Sequence, residues 1–106
     1  MNKVILMGRL TRDPETRSTQ TTNTIVANFT LAVNKKGTKE ADFLNIVAWG
    51  KTGEFVSKYF KKGQQVGVVG RLTTRAYEDS KGIKKYITEV VAEEVYFAER
   101  RNKSIN

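Results

Sequence analysis

The chain has 106 residues, enough for one domain with a single core and too few for two. Its 19 lysines and arginines against 11 aspartates and glutamates give a formal charge of +8, which favours a polyanionic partner, and the absence of histidine removes the usual general base and the commonest metal ligand. No cysteine is present, which excludes disulfides and thiolate metal sites, and no cofactor is expected.

Residues 3 to 11, KVILMGRLT, read as a first strand, with Val4, Leu6 and Leu10 on one parity and Gly8 where a bend or bulge can sit. Ile5 and Met7 take the other parity, so this strand is expected to be buried on both faces, as a subunit contact would bury it. The apolar run is broken by Gly8, Arg9 and Arg12, too early for a signal peptide or a membrane span, and a cytoplasmic, nucleoid-associated protein is the expectation. TRDPETR holds the only proline, Pro14, and reads as a turn; the polar run STQTTNT, residues 18 to 24, reads as a loop.

In TIVANFTLAVN, Ile25, Ala27, Phe29, Leu31 and Val33 share one parity while Asn28, Thr30 and Asn34 share the other, which predicts a half-buried second strand. NKKGTKEAD then makes a turn around Gly37, where Lys35, Lys36 and Lys39 are placed to grip phosphate. The third strand, FLNIVAWGK over residues 43 to 51, has two unequal faces. Leu44, Ile46 and Ala48 suit a core, and Phe43, Asn45, Val47 and Trp49 fall on the opposite side.

In TGEFVSKYFKKG the period changes from two to that of a helix, through Phe55, Val56, Tyr59 and Phe60. Thr52 is the expected cap, Glu54 sits in the first turn and Gly63 marks the end. A fourth strand, VGVVGRLTTRAY, puts Val66, Val68 and Leu72 on one side and Arg71, Thr73, Arg75 and Tyr77 on the other. After a loop at Gly82 the last strand, KYITEVVAEEVYF, alternates Tyr86, Thr88, Val90 and Ala92 with Ile87, Glu89 and Val91. Residues 1–98 are therefore one domain, and residues 99–106 a short basic flexible tail.

Five strands with one helix between the third and fourth is the order of an OB-fold, an all-β, five-stranded Greek-key barrel. Two of its strands each carry an aliphatic face and an opposite face of rings or guanidinium groups. Arg71 and Arg75 cannot be core without partners. Exposed rings stack unpaired bases and arginines neutralise phosphates, which is the chemistry of a single-stranded nucleic acid site; buried on both faces, the same rings would be ordinary core. A metal nuclease is disfavoured, because the adjacent pairs Glu78/Asp79 and Glu93/Glu94 point to opposite sides of a strand.

The ordered segments NKVILMGRLTRDPETR, ANFTLAVN, IVAWGK, YFKKGQQVGVVGRL, TRAYED and YITEVV closely resemble the bacterial single-stranded DNA-binding protein family over roughly residues 2 to 97. The resemblance implies a homotetramer of OB-folds that protects unpaired DNA during replication, recombination and repair. It also implies DNA-stacking rings at Phe43, Trp49 and Tyr77, and backbone-contacting groups at Arg75, Thr73, Lys51, Lys61 and Lys62. Many relatives carry a further stacking tryptophan near residues 35 to 39, where this chain has lysine, glycine and threonine, so a more electrostatic grip is expected there. Typical members continue into a flexible linker and an acidic tip. The sequence closes instead with Ile105 and Asn106 after Arg100, Arg101 and Lys103, which leaves tail-mediated recruitment of repair and replication proteins doubtful. The competing reading is an OB-fold adaptor of the replication-restart type, acting mainly through protein contacts.

Overall fold

A computed structural model of the chain describes residues 1–98. The expected basic tail, residues 99–106, lies outside the described residues. Within them are six strands, β1 (Val4–Leu10), β2 (Glu15–Ser18), β3 (Ile25–Asn34), β4 (Ala41–Trp49), β5 (Gln65–Glu78) and β6 (Lys84–Phe97), with the helix α1 (Gly50–Tyr59) between β4 and β5. Their lateral order is β1-β5-β6-β4-β3-β2, and a further pairing of β1 with β3 closes the strands into a ring. Neighbours run antiparallel, except that β4 lies parallel to β6 through Ile46↔Val90 and Val47↔Val91.

The alternating aliphatic positions read from the sequence form the core. Leu10, Phe29, Leu31, Ile46, Val66, Val68 and Val90 meet inside the ring, where Val56 and Phe60 pack against them from α1 and the segment that ends it. Each such side chain taken out of water contributes about 1.5–3 kcal/mol, the term that offsets the entropy of ordering the chain. Leu72 is an exception. It shares the parity of Val66 and Val68, yet it is half exposed: no residue of β5 beyond Gly70 is buried, even though Leu72 lies opposite the core residue Val90.

Three local expectations are corrected. Residues 15 to 18, read as turn and loop, form β2, paired from Glu15↔Asn28 to Ser18↔Ile25. All four side chains are exposed, so no apolar alternation marks the strand; its backbone is held by the edge of β3. The helix begins at Gly50, not after Thr52. Trp49 is its N-cap without a side-chain cap, no acidic residue lies in the first turn, and the chain turns directly from strand to helix because Gly50 adopts φ +59°. Its C-cap is Phe60, whose N–H donates to the Val56 carbonyl at 2.9 Å, so α1 ends before Gly63 is reached.

The last strand also departs from simple alternation. Val69 pairs with Glu94 and Gly70 with Ala92, so Glu93 is an extra residue on β6, a bulge. Strict period two from Val90 and Ala92 would bury Glu94 and Tyr96. The bulge flips the parity, so that Val95 packs against the core and Phe97 meets Phe60 at a centroid distance of 5.4 Å.

Ring closure depends on Gly8. At this point β1 passes from β5 to β3, through Gly8↔Val66 and then Arg9↔Ala32. A Cβ on Gly8 would lie 2.3 Å from the Ala32 carbonyl oxygen, which is backbone and cannot step aside. Gly8→Ala should destabilise the protein by about 1–3 kcal/mol, the usual cost of overpacking. Thermal unfolding checks this, with Gly67→Ala as control; on the neighbouring strand its new Cβ would meet nothing nearer than 3.9 Å. An unchanged midpoint for Gly8→Ala would mean that β1 and β3 are not held this closely.

Candidate nucleic-acid interface

Cross-strand partners in a ladder point to the same face, so the register identifies which side chains share a surface. Along β4, Phe43 lies opposite Ala32, Asn45 opposite Thr30, Val47 opposite Asn28 and Trp49 opposite Val26. Along β5, Arg71 lies opposite Val91, Thr73 opposite Glu89, Arg75 opposite Ile87 and Tyr77 opposite Lys85. The Val47↔Val91 pairing of β4 with β6 joins the two sets. The odd-numbered face of each predicted strand therefore becomes one continuous outer surface.

On that surface the rings are open to solvent. Phe43 is 67% exposed, Trp49 47% and Tyr77 46%, while Val47 is buried as part of the floor. Trp49, Arg71, Thr73 and Arg75 line a single hollow of about 360 Å³, together with Asn28 and Arg17. A second hollow of about 200 Å³ adjoins it and is lined by Arg12, Thr30, Asn45 and Ile87, with Asn28, Arg75 and Glu89 common to both. Phe43 lies further along β4 and Tyr77 further along the β5–β6 hairpin, so the three rings mark a path across the sheet, broken by guanidinium groups.

The ionic contacts are uneven. Arg75 donates from Nε to Glu89 Oε1 at 3.0 Å and from Nη2 to Oε2 at 3.4 Å. The hydrogen bond and charge of Glu89 push the Arg75 guanidinium above its already high ordinary pKa, against a smaller lowering by burial. Arg71 Nε lies 4.0 Å from Glu93 Oε2, while Lys3 Nζ donates to Glu93 Oε1 at 2.7 Å. The bulged Glu93 is thus held mainly by Lys3.

The predicted lysines are spread more widely. Lys35 and Lys36 occupy the exposed turn between β3 and β4, with Lys35 Nζ 2.9 Å from Asp42. Lys51, on α1, borders a different hollow beside Phe55 and Tyr96. Lys61 and Lys62 follow α1 on exposed backbone, where the Lys62 N–H donates to Asp13 Oδ1 at 2.8 Å. The structure thus brings Trp49, Arg71, Thr73 and Arg75 together, with Phe43 and Tyr77 on the same face, and leaves Lys51, Lys61 and Lys62 outside the two hollows.

Arg12, Arg17 and Glu89 are site residues that the sequence pattern does not single out. The first two sit in the segment read as a turn, and β2 carries Arg17 opposite Val26, next to Trp49 on the ladder. The only hint in the sequence is the odd parity that Glu89 shares with Ile87 and Val91.

A closed ring of strands with one helix between β4 and β5, and a ring-and-arginine groove on its outer face, agrees with what the comparisons show. The profile of the single-strand binding protein family matches residues 1–98. The chain belongs to this family. Its fold is accordingly an OB-fold, with β2 as an additional edge strand. The chain is 53% identical to Single-stranded DNA-binding protein 3 of Clostridium acetobutylicum, across 93% of this chain and 72% of that relative. It is 48% identical to Single-stranded DNA-binding protein 1 of the same organism, across 99% and 100% respectively, and 50% identical to Single-stranded DNA-binding protein 1 of Staphylococcus aureus, across 100% and 70%.

Proposed function

We propose that the chain binds single-stranded DNA without strong sequence preference and protects it during replication, recombination and repair. The observation that carries this reading is the single sheet face on which Phe43, Trp49 and Tyr77 stand exposed around a groove containing Arg71, Thr73 and Arg75. Bases of an unpaired strand stack on the rings, and the basic groups neutralise its phosphates. A duplex keeps its bases stacked inside and cannot use the rings. Lys35 and Lys36 at the hairpin turn, with Lys51, Lys61 and Lys62 around α1, extend the phosphate path beyond the groove.

The working unit is a homotetramer. Ile5 and Met7, expected to be covered, face outward on β1 at 76% and 57% exposure, and a second copy would remove them from water. The family is one of binding proteins and the chain is not an enzyme; among the described residues no helix is long and apolar enough to cross a membrane. A replication-restart adaptor would not require three rings on one face, and no relative named above carries that description.

Trp49, the single tryptophan, is its own reporter. Titration with oligothymidylate should quench its fluorescence deeply and keep doing so as salt rises, while a duplex of equal length quenches little. Equal responses that salt abolishes would reduce the surface to a general polyanion attractor and favour the adaptor instead. Replacing Lys61 and Lys62 together should flatten the plot of log affinity against log salt by about 0.7 for each phosphate that the pair neutralises. An unaltered slope would assign both lysines to the end of the helix alone.

A further inference from the structure

Among the described residues one charged side chain is buried, and it lies in the groove: Glu89, 9% exposed. A carboxylate taken out of water is costly unless it is paired, and Arg75 pairs it with two parallel hydrogen bonds at 3.0 and 3.4 Å. The two residues are diagonal neighbours on the ladder, Arg75 standing opposite Ile87 and Glu89 opposite Thr73. Their exposure is unequal. The Arg75 side chain is 58% exposed and that of Glu89 11%, so the guanidinium lies over the acid as a cover. It also stands at the partition between the two hollows, both of which are lined by this pair and by Asn28.

We propose that Glu89 is a positioning residue that fixes Arg75 as a flat stacking plate for a base at the partition, so that Arg75 does not serve as a phosphate clamp. The inference rests on the single-strand reading above and deepens it, taking Arg75 out of the set of basic groups that neutralise phosphate. Two-pronged pairing sets the plane of the guanidinium, and a planar cation held over a groove stacks on a base as an aromatic ring does. The same pairing cancels its charge locally, so a phosphate approaching Arg75 also meets a carboxylate and little counterion release follows. Arg71 is the contrast. At 4.0 Å from Glu93 it is beyond hydrogen-bond distance, and Glu93 is taken up by Lys3. Arg71 is therefore a groove arginine that neutralises phosphate.

The test compares the salt dependence of oligothymidylate binding for wild type, Arg71→Gln, Arg75→Gln and Glu89→Gln. Arg71→Gln should flatten the slope by about 0.7, and Glu89→Gln should steepen it by about 0.7 as the released guanidinium engages a phosphate. Arg75→Gln should weaken binding roughly fivefold or more, and in the double variant Arg75→Gln/Glu89→Gln, where no carboxylate is left unpaired, the slope should match wild type, because a stacking contact releases no ions. In the DNA-free protein the Arg75 Nε–H should exchange slowly with solvent, and Glu89→Gln should abolish that protection. The double variant Arg75→Gln/Glu89→Gln buries no charge, which serves if either single variant unfolds, and it should bind no more weakly than Arg75→Gln.

The double variant flattening the slope as Arg71→Gln does, or Glu89→Gln leaving it unchanged, would overturn the proposal. So would a double variant much weaker than Arg75→Gln, since Glu89 would then touch DNA itself. A wild type without preference for oligothymidylate over duplex would instead overturn the single-strand reading, so the two failures are distinct.

Discussion

Replacing Phe43 and Trp49 together with alanine should weaken single-strand binding by about 2–6 kcal/mol, roughly 30-fold to 10⁴-fold, since each ring stacked on a base contributes about 1–3 kcal/mol. The two rings lie six residues apart on one face of β4, a separation of about 20 Å at strand spacing. That is too far for them to share a base. Their effects should therefore add, each single variant showing its own part of the double. Trp49 is also the N-cap of α1, but it makes no side-chain cap, so removing the indole leaves the start of the helix in place. Unfolding midpoints of the variants should stay close to that of wild type. Because the reporter tryptophan is removed, affinity is read from the anisotropy of a labelled oligonucleotide, and the salt slope should not change, as no charge has been altered. A double variant that binds within threefold of wild type would place the bases away from this face.

Phe60→Ala should cost about 3–5 kcal/mol of stability and lower the unfolding midpoint by roughly 15–30 °C. Phe60 is wholly buried, and its ring meets those of Phe29 at 5.8 Å, Phe97 at 5.4 Å and Phe55 at 6.0 Å, near-perpendicular to Phe29 and Phe55. Truncation removes these edge contacts and leaves a cavity among β3, β6 and α1 that rigid strands cannot collapse to fill. Phe60→Leu should cost less, because it keeps most of the volume. At temperatures where Phe60→Ala is still folded, affinity for single strands should match wild type, since the residue has no exposed surface. A midpoint lowered by only a few degrees would mean that α1 does not anchor the ring of strands as its packing shows.

Much of this architecture is legible in the residues alone. Alternation along FLNIVAWGK and VGVVGRLTTRAY separates Ile46, Ala48, Val66 and Val68 from Phe43, Trp49, Arg71 and Arg75, because a strand turns successive side chains to opposite faces whatever lies beside it. The change to a helical period through Val56 and Phe60 is local for the same reason. β2 is not legible: four exposed polar residues carry no apolar signal, and they become a strand only because β3 offers them an unpaired edge. The parity change at Glu93, the exposure of Leu72 and the burial of Glu89 are equally hidden. Each depends on which strand lies alongside and where the core ends.

The sequence by itself therefore determined the order of elements, the faces of each strand and the kind of side chain that looks outward. Only the tertiary structure decided that these faces join, that Arg17 stands beside Trp49, and that Arg75 covers a buried acid while Arg71 does not. The physical reason is range: side-chain alternation is set within a few residues, whereas the groove is made by register between strands up to some tens of residues apart, fixed when the ring closes at Gly8.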